Sequence, residues 1–228
     1  MHWFYEPDFA SGKALSQETK RHLASLRITS EESFLVTDGK GFRWEVKADS
    51  GEVFHSIALE VSAQPVVRFT LVQALAKSDR DELALQAAVE LGATEIVPWQ
   101  AARSIVRWDA KAERNRERWQ TIAIESMKQS QRAWLPLVQP ISSTKQLQPR
   151  GIGLVLDPRA DLTLHQIEPS NHFTLVVGPE GGIPADELET LESSGFLRVR
   201  LGDGVLRAST AGPAAIAALQ LLHGEFRS

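Results

Sequence analysis

The sequence predicts an α/β protein with a mostly parallel sheet, preceded by a small β-rich domain. Three observations carry this. From Val66 onward, apolar strand-like runs alternate with stretches of helical periodicity, and strands that alternate with helices form parallel sheets covered on both faces. Before that point, short strand-like runs follow one another with glycine-containing turns between them, the pattern of a small barrel. Two glycine loops, GPEGG and GDG, directly follow two of the later apolar runs.

The elements follow in order. Glu18 to Leu26 reads as a short helix, and Ser33 to Thr37, Phe42 to Lys47 and Val53 to Val61 read as strands. Asp38-Gly39-Lys40-Gly41 and Asp49-Ser50-Gly51 separate the strands and supply the positive φ of tight hairpins. Gln64-Pro65 marks a boundary, dividing the chain into residues 1–65 and 66–228. VVRFTLVQ is then a buried strand. Asp79 to Leu91 is a helix with Leu83, Ala84, Ala87, Ala88 and Leu91 on one face, stopped by Gly92. Glu95 to Pro98 is a strand, and Ala110 to Gln131 a long helix with Trp119, Ile122, Ala123 and Met127 at helical spacing. Gly151 to Leu156, Phe173 to Val177 and Leu197 to Leu201 are strands, with a helix from Pro184 to about Ser193 between the last two. The last helix, from Thr210 to about His223, is Ala- and Leu-rich nearly all round. Such a helix is buried in its own core or against another subunit.

The 228 residues, 43% hydrophobic and 24% charged, support a sizeable core. There is no cysteine, which excludes a disulfide framework and a cysteine-ligated zinc site and fits a cytoplasmic location. No run of apolar residues reads as a membrane span, and MHWFYEPDFASGK does not resemble a signal peptide. The six histidines are scattered and no His/Asp/Glu cluster suggests a metal. A net charge of −4 argues against non-specific coating of nucleic acid. The basic residues gather only between Arg103 and Arg132, where eight stand against four acidic ones. Taken alone, that block is a solvated helix with i,i+4 pairs.

The glycine loops point to a site. Gly178-Pro179-Glu180-Gly181-Gly182 leaves one strand and enters a helix at Ile183-Pro184, and Gly202-Asp203-Gly204 leaves the next strand, with Arg207 ahead of the last helix. Ligands of open parallel sheets sit outside the carboxyl ends of the strands, so the two loops define one pocket. Either loop alone could be an ordinary turn. The spacing is neither GxGxxG nor GxxxxGK[ST], so dinucleotide and triphosphate binding lose their usual warrants. These residues by themselves indicate a small ligand cradled by backbone groups.

The order GPEGG, strand, LGDGVLR, helix start resembles the SPOUT methyltransferases, and more narrowly the RsmE family. That family methylates N3 of a uridine in 16S small-subunit ribosomal RNA. Lys77-Ser78-Asp79-Arg80-Asp81-Glu82, QAAVELG from Gln86 to Gly92, Ile96-Val97-Pro98, and Arg118-Trp119, Glu125, Gln129-Ser130 and Arg132 extend the likeness. It covers residues 66–222 well and the first 65 more loosely. The resemblance implies a PUA-like β-barrel at the N-terminus, a SPOUT domain with a deep trefoil knot, and a homodimer. It implies S-adenosylmethionine held at Leu156, Gly178, Pro179, Gly181, Gly182, Leu201, Gly202, Val205 and Leu206, with no metal. It makes Arg207 and Glu180 the catalytic candidates: Arg207 to stabilise an anion on the uracil oxygens, Glu180 as a general base or as an acceptor that orients loop N–H groups. Lys77, Arg80, Lys128 and Arg132 are the expected RNA contacts. The chain departs from the family pattern at Ser78, Asp203 and Ala208, where glycine, proline and threonine are usual. Two other readings remain open: a SPOUT enzyme acting on transfer RNA or large-subunit RNA, and an RNA-binding assembly factor without activity.

Overall fold

The structure, a computed structural model, describes the chain outside residues 10–13, 28–31, 49–53, 225 and 227–228, and outside the side chains of residues 48 and 54–56. The chain divides into two compact units. One comprises Met1–Gln64 with Met127–Leu135, the other Pro65–Ser126 with Pro136–Ser228.

The first unit holds β1 (Trp3–Tyr5), α1 (Gln17–Leu26), β2 (Ser33–Thr37), β3 (Phe42–Ala48) and β4 (Phe54–Val61). They form a four-stranded sheet in the order β1-β2-β3-β4, with β1 parallel to β2 and the other pairs antiparallel. β1 is too short to show a period, and no sequence pattern predicts it. α1 starts at Ser16, whose hydroxyl accepts the Thr19 N–H. Phe4, Phe34, Val36 and Val46 centre the core. The β2–β3 turn is held by Asp38 Oδ1, which accepts the Lys40 and Phe42 N–H groups at 2.7 and 3.2 Å. Gly41, at φ +99°, is required twice over, because a Cβ there would lie 2.6 Å from the Trp134 ring. The Trp134 indole donates to the Ser62 and Ala63 carbonyls. The segment Met127–Leu135 thus packs with the N-terminal residues, which no local pattern announces. The turn expected at Asp49-Ser50-Gly51 and the strand start at Val53 lie outside the described residues.

The second unit holds β5 (Arg68–Ala74), α2 (Arg80–Glu90), β6 (Glu95–Trp99), most of α3 (Ala112–Gln129), β7 (Leu137–Val138), β8 (Ile152–Leu156), β9 (His172–Val177), α4 (Ala185–Ser193), β10 (Phe196–Val199) and α5 (Ala208–His223). Its six-stranded sheet has the order β10-β8-β9-β5-β6-β7, and every pair is parallel. The near-continuous apolar runs of β5, β8 and β9 follow from burial on both faces. α4 closes one face over Val72, Val155 and Val176. α5 packs on α2 and on β5 and β9, and Gly212 allows the close approach. A Cβ there would lie 2.7 Å from Leu71 Cδ1.

Helix ends explain the small differences from the expected spans. α3 stops at Gln129 because Gln131 adopts φ +56° and the Arg132 N–H returns to the Met127 carbonyl, a Schellman closure. Gly92, at φ +102°, closes α2 in the same way through the Ala93 N–H to the Ala88 carbonyl. β10 ends at Val199 because Arg200 pairs instead with Thr163.

Candidate functional site

The carboxyl ends of the parallel strands emit the loops that line a cleft of about 430 Å³. Leu156 and Asp157-Pro158-Arg159 follow β8, Gly178 to Ile183 follow β9, and Val205 to Ala208 lead from β10 into α5. Arg80 reaches it from the turn after β5 and Arg103 from the loop after β6. An adjoining recess is lined by Leu201, Gly202 and Gly204, and shares Leu156, Val205 and Leu206 with the cleft. The structure therefore gathers Leu156, Gly178, Pro179, Glu180, Gly181, Gly182, Val205, Leu206 and Arg207 at the cleft itself, and Leu201 and Gly202 beside it.

The first glycine loop is a tight turn in which the Gly182 N–H donates to the Pro179 carbonyl at 2.9 Å. Gly182 has φ +68°, the left-handed conformation that favours glycine. Ile183 folds back so closely over Gly178 that a Cβ would lie 2.6 Å from its Cγ1. The Arg103 guanidinium donates to the Gly181 carbonyl at 2.9 Å and holds the loop from outside. Glu187, buried in the first turn of α4, accepts the Ala102 N–H at 3.0 Å and the Thr144 hydroxyl, so the helix that follows the loop also anchors the residue preceding Arg103.

Glu180 faces the turn after β5. Its Oε1 accepts the Lys77 N–H and an Arg80 N–H, each at 3.3 Å. That turn is strained: Ser78 and Asp79 are consecutive residues at φ +57° and +56°, each costing on the order of 1–2 kcal/mol. Its far end is held by Asp81, whose Oδ2 accepts the Ala76 N–H at 3.0 Å. Burial raises the Asp81 carboxyl above its usual range, against the lowering effect of the Ala76 and Glu82 N–H groups. Asp79 precedes α2 but makes no side-chain cap, because its backbone is left-handed and not extended.

Asp157, Arg159 and Arg103 also line the cleft, and sequence reasoning does not assign them to it. Asp157 and Arg159 directly follow the strand-like GIGLVL, so the strand-end rule that singles out the glycines applies to them equally. Asp157 is 4% exposed and accepts from Arg198 at 2.8 Å and from the Arg159 N–H at 3.0 Å. Burial would raise its carboxyl, but the hydrogen bonds from Arg159 and Arg198 prevail and hold it below the usual carboxylate range. Of the four arginines at the cleft, Arg80, Arg103 and Arg159 are thus each committed to an acceptor. Arg207 is exposed, and its guanidinium has no partner among the described residues.

Asp203 is paired with Arg200 at 2.8 Å and does not line the cleft. Its charge is answered locally. Ala208 does line the cleft, at the start of α5, where a threonine hydroxyl would have added a polar group. The Lys77 backbone N–H and the Arg80 guanidinium meet at Glu180, whereas Lys128 and Arg132 belong to the first compact unit. Among the described residues there is no cluster of three or more His, Cys, Asp or Glu fit to hold a metal, and no helix long and apolar enough to cross a membrane.

A family model of the RNA methyltransferase domain matches residues 62–220. A ribosomal RNA small subunit methyltransferase E from Mycobacterium bovis is 36% identical, over 95% of this chain and 88% of that protein. The Bacillus subtilis protein of the same name is 27% identical over 93% and 92%. The crystal structure of the Neisseria gonorrhoeae ribosomal RNA small subunit methyltransferase E bound to S-adenosyl methionine superposes with a TM-score of 0.89, at 32% identity and 99% of both chains. On the family model and this extent of identity, the chain belongs to the ribosomal RNA small subunit methyltransferase E family.

Proposed function

We propose that the protein methylates N3 of a specific uridine in 16S small-subunit ribosomal RNA, using S-adenosylmethionine as donor. One observation carries the reading: loops from successive parallel strands converge on a backbone-lined cleft, and at its edge the Arg207 guanidinium has no partner among the described residues.

The cleft suits the donor on its own chemistry. Gly178, Gly181 and Gly182 present bare backbone, Leu156, Val205 and Leu206 present apolar surface, and Leu201 and Gly202 extend the lining. This combination of apolar walls and backbone polar groups is what a small cofactor site requires. When bound there, S-adenosylmethionine supplies a methyl group activated by its sulfonium. Glu180 keeps the first loop against the turn after β5 through the Lys77 N–H and the Arg80 guanidinium, and the exposed Lys77 side chain, with Arg80 at the cleft, serves to meet phosphates of the RNA. N3 of uracil offers its lone pair only after losing its proton, which passes to solvent, and the charge then spreads to the ring oxygens. Arg207 stabilises that charge through its planar donors and cannot itself be the base.

The trefoil knot belongs to the same reading. After β10 the chain pairs with the segment between β8 and β9, the Arg200 N–H donating to the Leu162 carbonyl and the Leu164 N–H to the Arg200 carbonyl, before α5 returns to pack on α2. The four-stranded first unit serves as the PUA-like RNA-binding barrel, with Lys128 and Arg132 as further RNA contacts. The exposed Val205, Leu206, Leu221 and Leu222 are apolar surface that a second copy in a homodimer would cover. The cytoplasm is where such a substrate is met.

The test is to incubate the protein with labelled S-adenosylmethionine and small subunits lacking the mark, then map the modified nucleotide. A single N3-methyluridine in 16S RNA is expected. Label confined to transfer RNA or large-subunit RNA would redirect the substrate, and donor binding without transfer would point to an assembly factor.

A further inference from the structure

A second recess, of about 230 Å³, lies on the other side of the strained turn after β5. Ser78 and Asp79 of that turn line it, while the next residue, Arg80, lines the cleft. Arg107, ahead of α3, and Asn115, within it, complete the polar wall, and Trp108 and Trp119 form an apolar one. The two indoles are packed edge to face with centroids 5.1 Å apart, which fixes that wall.

The polar groups of this recess are of two kinds. Asp81, Glu82 and Arg118 are committed: Asp81 accepts the Ala76 and Glu82 N–H groups, and Arg118 pairs with Glu82 at 2.7 Å. The Ser78 hydroxyl, the Asp79 carboxylate, the Arg107 guanidinium and the Asn115 amide have no partner among the described residues. Asn115 is half-buried with its amide open to the recess, and the other three stand exposed at the rim. Their chemistry narrows the ligand. A bare phosphate would meet the Asp79 carboxylate, and a cation would meet Arg107. A planar ring with donors and acceptors along its edge satisfies an acceptor, an amide and a hydroxyl together, and single-stranded RNA is read by such base-edge contacts.

We propose that this recess receives the base of a nucleotide flanking the methylated one, with Asn115 and Asp79 on the base edge and Arg107 on its phosphate. The inference rests on RNA being the substrate. It also gives the strained turn a purpose, because two left-handed residues in succession turn Ser78 and Asp79 to one cavity and Arg80 to the other.

The experiment compares the full-length wild type with Asn115→Ala and Arg107→Ala on small-subunit RNA substrates. In these substrates one neighbour at a time of the methylated nucleotide is made abasic. For the wild type, one abasic position is expected to raise KM by about tenfold, the scale of losing a base-edge contact. In Asn115→Ala the intact RNA already shows that rise, and the same abasic position adds nothing further, as coupled groups require. Arg107→Ala should lower the slope of log KM against log salt by about 0.7–0.9, one phosphate contact. Both variants should bind S-adenosylmethionine with unchanged affinity by calorimetry, which shows that they fold. Wild-type KM in both variants, or penalties that simply add, would overturn the proposal. If the wild type binds donor but methylates no RNA, the functional reading falls first and this assignment with it.

Discussion

Glu180 Oε1 accepts hydrogen bonds from the Arg80 guanidinium and from the Lys77 N–H, each at 3.3 Å, and so joins the first glycine loop to the strained turn after β5. The geometry favours a positioning role, and two substitutions separate it from base catalysis. Glu180→Gln keeps an acceptor for the Lys77 N–H and should retain kcat within several-fold. Glu180→Ala should weaken binding of the methyl donor and RNA together. A general base would instead lose about 100-fold or more in both variants, which single-turnover rates would reveal.

Arg207 lines the cleft without a partner among the described residues. Arg207→Ala should lower the rate of methyl transfer by about 100- to 1000-fold, the scale of removing one preorganised donor to a developing anion. Donor affinity measured by calorimetry should stay within several-fold. Near-normal turnover would remove Arg207 from the chemistry.

Gly181 lies under Arg103. A Cβ there would sit 3.3 Å from Arg103 Cβ and 3.5 Å from its Cδ, so Gly181→Val must displace the arginine that holds the loop. Donor affinity should fall by at least about tenfold, the equivalent of about 1.4 kcal/mol. Calorimetry with unchanged affinity would show that the loop tolerates the displacement.

Gly212→Ala should destabilise the second unit by about 1–3 kcal/mol, the usual cost of overpacking. The added Cβ would meet Leu71 Cδ1 at 2.7 Å and Val177 Cγ2 at 3.2 Å, forcing α5 away from the sheet. Denaturant unfolding reads this as a lower midpoint with little change in slope. Val177 also lines the cleft, so a loss of donor affinity should accompany it.

His172 makes stability depend on pH. Burial lowers its pKa, as do Arg68 and Arg150, while Glu95 opposes the shift. Its Nε2 is 2.9 Å from the Thr70 hydroxyl, which donates to Glu95. With the folded pKa below the unfolded value of about 6.5, the unfolded chain takes up the proton first as pH falls. Stability should therefore decline from about pH 7.5 downward, until the pH passes below the folded pKa. His172→Gln, which does not titrate, should flatten the Tm profile in that range.

The parallel sheet is legible from alternation. β5, β8 and β9 are near-continuous apolar runs, a pattern set by burial on two faces, whereas the face expected for α2 is shifted: Ala84, Leu85, Ala88 and Val89 are buried and Leu83 is exposed. Helix ends differ from the expected spans where the backbone closes on itself, as at Gln131. β1 and β7 escape because three and two residues cannot display a period.

The glycine loops and their place at strand ends are written in the residue order, because positive φ and bare backbone are properties of the residues themselves. Family membership also follows from the order of residues. The partners were set by folding. It bound Arg80 to Glu180, Arg103 to Gly181 and Asp157 to Arg198, pairs separated by 100, 78 and 41 positions, and it left Arg207 unpaired among the described residues. Which charge is neutralised and which is left for a substrate depends on distances across the fold, and no local pattern encodes those.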